Sequence, residues 1–321
     1  MLIDLLKITL GLLLLLGAGD FLVKGSVAMA LRLGIPSLIV GLTVVAFGTS
    51  APELLVSVNA ALGGQAGIAL GNVVGSNIIN MLMILGLPAL IAVIHSSQID
   101  TRRSFTMMLA VSVLVIALAF MGTIGRWQGL VLLAALALIL WDNVREARAH
   151  RNARPAETEE LGDPHMAVWK IAGLIAVGFV GLAVGADLLV DGAVAVARIA
   201  GISETVIGLT LVAIGTSLPE LVTSVMAALR KQADVALGNV IGSNIFNLTA
   251  ILGTTAVIAP MPVPVELLHF DLWVMLAAAL ALTPFVFWRR DIGRGAGIAL
   301  ILGYLLYTVV LLWVGSTGVF A

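Results

Sequence analysis

The chain has 321 residues, 60% of them hydrophobic and only 11% Asp, Glu, Lys or Arg, against roughly 25% charged in an average soluble protein, which excludes an ordinary water-soluble globule. A formal charge of -1, from 17 basic and 18 acidic residues, offers no basic face to nucleic acid. With no cysteine present, disulfides, thiolate metal sites and cysteine nucleophiles are excluded together.

Each crossing of a hydrocarbon core about 30 Å thick takes around 20 apolar residues. Scanned at that length, apolar segments fall near 3–31, 37–62, 66–94, 104–122, 128–142, 168–197, 204–229, 234–259, 270–288 and 296–314, ten candidate helices in all. Leu10–Leu16 has neither a basic start nor a small-residue cleavage site around it, so it reads as part of the first span and not as a leader. The long polar interruption runs from Asp142 to His165 and carries Arg145, Arg148, Arg151, Arg154, Glu157, Glu159, Glu160, Asp163 and Pro164. It divides the chain into an N-terminal half (1–142), a solvated linker (143–167) and a C-terminal half (168–321).

With the linker in the cytoplasm, Arg32, Arg102, Arg103, Arg145, Arg148, Arg151, Arg154, Arg230, Lys231, Arg289, Arg290 and Arg294 share its side, and only Arg126 and Arg198 clearly fall opposite. Such an imbalance orients membrane proteins, so both termini are expected outside the cytoplasm. Trp127, Trp141, Trp169, Trp288 and Trp313 lie near span ends, as interfacial aromatics do. The arginines of the linker suit anionic lipid, although a plain solvated connector explains them more simply.

Residues 20–86 match residues 187–253 without a gap, with about 40 of 67 positions identical. The strongest stretches are GLTVVAFGTSAPELLVS against GLTLVAIGTSLPELVTS and ALGNVVGSNIIN against ALGNVIGSNIFN. If each unit has five spans, an odd number, the second unit enters the membrane upside down relative to the first. The expected fold is therefore an all-α polytopic membrane protein with ten transmembrane helices in two inverted five-helix repeats. Secondary transporters are built this way and bind substrate near the midplane, between the repeats.

Glu53 and Glu220 occupy equivalent places within apolar spans. An ionisable group there costs at least about 2.5 kcal/mol by insertion scales and normally faces a partner, a cavity or an ion path. A protonated carboxyl bonded to a neighbouring helix is the plainer alternative, but the pair recurs with all its surroundings. Thr49, Ser50 and Pro52 precede one glutamate, and Thr216, Ser217 and Pro219 the other. Positions three and four apart share a helix face, so these hydroxyls gather beside the carboxylates. Proline removes a hydrogen bond to the carbonyl four residues back, which predicts a break around Gly48 and Gly215 that frees backbone carbonyls as further ligands. Exposed backbone at membrane depth must line a cavity or be buried in protein.

The third and eighth spans add ladders at steps of four: Asn72, Ser76 and Asn80, then Asn239, Ser243 and Asn247. Ser76, Asn80, Ser243 and Asn247 are expected to face the carboxylates, while Asn72, Asn77, Asn239 and Asn244 are expected to tie helices together. Every converging ligand is an oxygen, which suits hard cations such as calcium and not soft transition metals. Two carboxylates neutralise one divalent or two monovalent cations, which makes the two kinds of ion competitors.

These motifs resemble the alpha-repeats of the sodium/calcium exchangers, in the calcium/cation antiporter superfamily, and most of all its compact prokaryotic members. The resemblance implies ten helices in inverted halves, alternating access, and exchange of Ca2+ for Na+ across a lipid bilayer with no cofactor. It makes Glu53 and Glu220 the central ligands, Thr49, Ser50, Thr216, Ser217, Ser76 and Ser243 sodium-site oxygens, and the carbonyls of Ala46 and Ala213 their companions. Asn80 matches the family's asparagine, whereas Asn247 stands where some members, including potassium-dependent ones, carry aspartate. Potassium dependence is accordingly disfavoured.

Of the remaining charges in spans, Lys24 suits Asp20 at four-residue spacing, while Asp187 and Asp191 fit either a watery passage or an interface. GAGD at Gly17–Asp20 is a weak match to intramembrane aspartyl proteases, whose second motif is missing. His95, His150, His165 and His269 fall at span ends or in loops without metal-ligand spacing. No phosphate loop or dinucleotide fingerprint appears, so an enzyme is not expected. A proton/calcium antiporter and a cation channel are the rival readings.

Overall fold

The computed structural model describes residues 1–153, 166–200 and 213–317. In order, the helices are α1 (Leu2–Leu33), α2 (Ser37–Thr49), α3 (Ala51–Leu62), α4 (Ala66–Ile91), α5 (Arg102–Ala119) and α6 (Arg126–Ala153). They continue as α7 (Val168–Ile199), α8 (Ala213–Thr216), α9 (Leu218–Leu229), α10 (Ala233–Ile258), α11 (Leu267–Phe287) and α12 (Arg294–Thr317). Two short strands, β1 (Thr123–Ile124) and β2 (Met261–Pro262), pair antiparallel.

Among the described residues, 8 helices are long and apolar enough to cross a membrane, and the pair α2 and α3, bent by 45°, makes a 9th candidate. Of the span expected at 204–229, residues 204–212 lie outside the described residues, and α9, the longer of the two helices in the remainder, has 12 residues. The fifth span differs from expectation. Its apolar window ends near residue 142, but α6 continues to Ala153 and takes Arg145, Arg148 and Arg151 into the helix. Hydropathy falls where a helix leaves an apolar layer, yet Arg, Glu and Ala are good helix formers, so the backbone bonding continues beyond it. Residues 154–165 of the expected linker, Arg154 included, lie outside the described residues.

Loops at each end of the helices hold to one another. At one end Ile94 bridges to Ile292 and His95 Nδ1 lies 2.8 Å from Asp291. Ser96 Oγ donates to the Arg290 carbonyl at 2.6 Å, and Arg32 donates to the Met166 carbonyl at 2.9 Å. A cavity of about 1160 Å³ at this end is lined by Ser37, His95, Arg102, Arg103, Lys231 and Asp234 among others. Arg32, Arg102, Arg103, Lys231 and Arg290 of the charge count thus lie at this end, while β1 and β2 pair elsewhere in the fold.

The helices α1 and α7, which contain the starts of the two sequence repeats, pack antiparallel along their length. Gly11 meets Gly185, Ala18 meets Gly181 and Leu22 meets Gly178, with residue numbers rising on one helix as they fall on the other. A Cβ on Gly11 would lie 2.7 Å from the Gly185 carbonyl, so only glycine admits this approach. The main core joins α4, α5, α10 and α11. Within the spanning windows 94% of α10 is buried against 72% of α4, which puts α10 at the centre of the bundle. Leu13, Trp141, Val180 and Leu306 stand exposed on the outside, an apolar rim suited to lipid and unsuited to water.

Candidate ion-binding site

The site starts at two breaks in the backbone. In the first repeat α2 ends at Thr49, Ser50 takes φ -84 and ψ 8, and α3 resumes with proline in its first turn. The second repeat does the same: α8 ends at Thr216, Ser217 takes φ -91 and ψ 6, and α9 resumes with Pro219. The breaks therefore fall at Ser50 and Ser217 and not around Gly48 and Gly215. Proline is tolerated in the opening turn of a new helix, where its missing N–H leaves nothing unpaired. Gly48 and Gly215 serve close packing instead. A Cβ on Gly48 would run into the Phe179 ring, and one on Gly215 would approach Val190 to 2.5 Å.

The break frees fewer carbonyls than a plain proline kink suggests. The Ala46 carbonyl accepts from the Ser50 N–H at 3.1 Å and lies 3.4 Å from Thr49 Oγ1. Ser217 N–H closes onto the Ile214 carbonyl at 3.1 Å, and Ala213 opens α8.

Each break aims its serine at the other repeat's glutamate. Ser50 Oγ donates to Glu220 Oε1 at 2.9 Å, and Ser217 Oγ donates to Glu53 Oε1 at 3.3 Å. Both carboxylates are 1% exposed. Among the described residues no basic side chain pairs with either of them. Buried charge without a counter-charge is strongly unfavourable, so this pair is electrostatically made for a cation.

The third wall comes from α4 and α10. Both helices widen into a π turn that begins on the site asparagine, Asn80–Ile84 in one and Asn247–Ile251 in the other. Such local widenings occur often at functional sites. Asn80 Nδ2 donates to Asn244 Oδ1 at 3.0 Å. Glu53 Oε2, Glu220 Oε2, Asn80 Oδ1, Ser243 Oγ and Asn247 Oδ1 are all buried with no hydrogen-bond partner in the protein. Each orphan of this kind costs about 1–3 kcal/mol. Oxygens are the donors that hard cations take, and five of them stand without a protein partner on these residues.

Thr49, Ser50, Ser76, Ser217 and Ser243 are all buried, and Thr216 is half-buried. Of the asparagines expected to tie helices together, Asn72 and Asn239 bond to neighbouring helices, whereas the amide nitrogen of Asn77 bonds within its own helix. Asn72 Nδ2 donates to the Glu53 carbonyl at 3.2 Å and to Ser57 Oγ at 2.9 Å, and Asn77 Nδ2 donates to the Val73 carbonyl at 2.7 Å. Asn239 Nδ2 donates to the Glu220 carbonyl at 3.2 Å and Ser224 Oγ at 3.1 Å. Sequence reasoning missed Ser57 and Ser224, although the four-residue spacing from Glu53 and Glu220, repeated in both copies, was the available signal. It also missed Thr49 Oγ1 donating to Asn239 Oδ1 at 3.2 Å, a contact between repeats with no local sequence sign.

The other membrane-embedded charges stand apart from this set. Asp20 is held by Lys24 at 2.9 Å and by Arg230, Lys7 lies 3.3 Å from Asp191, and Asp187 is exposed.

Comparison with known proteins adds the following. Residues 4–143 and 170–313 match the family described as sodium/calcium exchanger protein. The putative antiporter CaxA of Alkalimonas amylolytica is 38% identical over 284 residues, covering 88% of this chain and 89% of that protein. Sodium/calcium exchanger MaX1 of Methanosarcina acetivorans is 32% identical over 347 residues, covering 97% and 99%. A structure of the sodium-calcium exchanger NCX_Mj, soaked with 10 mM Na+ and zero Ca2+, superposes with a TM-score of 0.79 at 34% identity, covering 95% of this chain and 97% of that one.

Proposed function

This chain belongs to the sodium/calcium exchanger protein family, and from that premise we infer that it is an integral membrane antiporter exchanging Ca2+ for Na+ at the oxygen cluster between its repeats. Glu53 and Glu220 provide the charge. Thr49, Ser50, Ser76, Thr216, Ser217, Ser243, Asn80, Asn247 and the carbonyls of Ala46 and Ala213 provide the remaining oxygens. The observation that carries this assignment is the pair of buried carboxylates, each left with an unpartnered oxygen and, among the described residues, with no basic side chain paired to it.

Coupling follows from charge. Ca2+ neutralises both carboxylates, and so do two Na+, so occupancy by one ion excludes the other. With neither bound, closing an apolar cavity over two carboxylates carries the penalty of buried unpaired charge. The loaded protein therefore changes between its two open states readily and the empty one seldom, and this difference makes the fluxes obligatory.

Ten spans in two inverted five-helix halves fit this role. The antiparallel packing of α1 on α7, equivalent helices in the two repeats, supports the inversion, and the matching helix, break and helix pattern of α2–α3 and α8–α9 supports a tenth span. We place the linker end in the cytoplasm and both termini outside, in an inner membrane, because the basic residues gather at that end. Anionic lipid is the proposed partner of the arginines there.

Calorimetric titration of purified protein with Ca2+ tests the site. Binding is expected to weaken as Na+ is raised and to vanish in the double variant Glu53→Gln, Glu220→Gln. Sodium-sensitive calcium binding that survives both changes would place the site elsewhere.

A further inference from the structure

A hydroxyl or an amide can face a cation only if its hydrogen points elsewhere, since a donor N–H or O–H aimed at the ion repels it. At two positions the second repeat takes that hydrogen from a ligand of the first. Thr49 Oγ1 donates to Asn239 Oδ1 at 3.2 Å, nearer than the Ala46 carbonyl at 3.4 Å, and also stands beside the Glu220 carboxylate. Asn80 Nδ2 donates to Asn244 Oδ1 at 3.0 Å, while Asn80 Oδ1 is buried and unpartnered.

Neither acceptor is free to turn over. Asn239 Nδ2 is committed to the Glu220 carbonyl and to Ser224 Oγ at 3.2 and 3.1 Å. A backbone carbonyl only accepts, so flipping this amide would set oxygen against oxygen. Asn244 points its own Nδ2 at Met108 Sδ, 3.7 Å away, a weak acceptor. Asn239 and Asn244 are 0% and 2% exposed, so bulk solvent does not reach these bonds.

We propose that Asn239 and Asn244 are positioning residues that set the polarity of the cation site, fixing Thr49 and Asn80 so that only lone pairs face the transported ion. The inference rests on the reading that Thr49 and Asn80 belong to that site. Partners behind metal ligands typically change metal affinity by about 10–100-fold when removed. In the first repeat Asn72 makes the bonds equivalent to those of Asn239, to the Glu53 carbonyl and Ser57 Oγ, whereas Asn77 Oδ1, the equivalent of Asn244 Oδ1, is unpartnered.

A double-mutant cycle in proteoliposomes decides the matter, reading KM and kcat for Ca2+ in sodium-driven uptake. Asn244→Leu is expected to raise KM about tenfold with kcat little changed, because the freed Asn80 amide turns its N–H toward the ion. On an Asn80→Ala background the same change is expected to do nothing more, and Asn239→Leu is expected to lose its effect on a Thr49→Ala background. Equal effects of Asn244→Leu with and without Asn80 would show a merely structural role and overturn the proposal. An unchanged KM in Asn80→Ala alone would instead overturn the site assignment beneath it. Should leucine prevent membrane insertion, Asn244→Ala, which adds no bulk, is read on the same cycle.

Discussion

The two halves of the ion site are built from nearly the same sequence and end in different surroundings. GTSAPE and GTSLPE break their helices at equivalent serines, and ALGNVVGSNIIN and ALGNVIGSNIFN both widen at the last asparagine. Yet Ser50 reaches its glutamate at 2.9 Å while Ser217 stands 3.3 Å from its own. Asn80 has given its amide hydrogen to Asn244, whereas Asn247 has neither its oxygen nor its nitrogen partnered. Helix α10 is buried almost all round and α4 is not. Duplicated sequence fixes which atoms are present; the surrounding helices decide which of them are already satisfied.

Neutralising either glutamate breaks the comparison outright. Glu53→Gln and Glu220→Gln are each expected to abolish sodium-driven calcium uptake while the protein still inserts and purifies. Full transport by one of them would mean that a single half carries the ion. The serines sharpen the comparison further. A hydrogen bond to a charged group contributes about 1.5–3 kcal/mol, so Ser50→Ala is expected to weaken calcium affinity by about tenfold or more. Ser217→Ala, with the longer bond, is expected to cost less, and equal losses by calcium titration would remove the asymmetry.

The asparagines give a finer contrast. Asn247→Asp adds a buried carboxylate where no protein bond is lost, and is expected to change ion dependence and to lower thermal stability less than the equivalent change at Asn80. Asn80→Asp forfeits the bond to Asn244 and is expected to lower stability as well, a difference that thermal unfolding in detergent measures. The smallest effect belongs to the rim of α1 and α7. The exposed Lys7–Asp191 pair is worth less than about 1 kcal/mol, so Lys7→Ala is expected to leave uptake and unfolding almost unchanged. Arg230→Ala, which removes one of two partners from the partly buried Asp20, is expected to cost more in the same assay.

Much of the site could be read from the chain, because a gapless repeat placed Glu53 beside Thr49 and Ser50, and Glu220 beside Thr216 and Ser217, within apolar spans. The pairing of Asp20 with Lys24 also followed from spacing alone. The position of the break did not. Proline announces that a helix is interrupted, but the chain turns at the serine before the new helix, and Gly48 and Gly215 are kept small by the closeness of Phe179 and Val190 on α7. The length of α6 was hidden for another reason: hydropathy marks the end of the apolar layer, and helix propensity carries the backbone past it. Contacts between repeats, such as Ser50 to Glu220 and Asn239 to Thr49, join residues far apart in sequence and have no local periodicity to reveal them.

Calcium uptake into proteoliposomes tests the central claim most directly, with vesicles loaded with sodium, potassium or acid and the membrane voltage clamped by an ionophore. Uptake that requires internal sodium is the predicted result. Uptake driven by the proton gradient alone, or indifferent to all three loads, would contradict exchange of Ca2+ for Na+ at the Glu53 and Glu220 site.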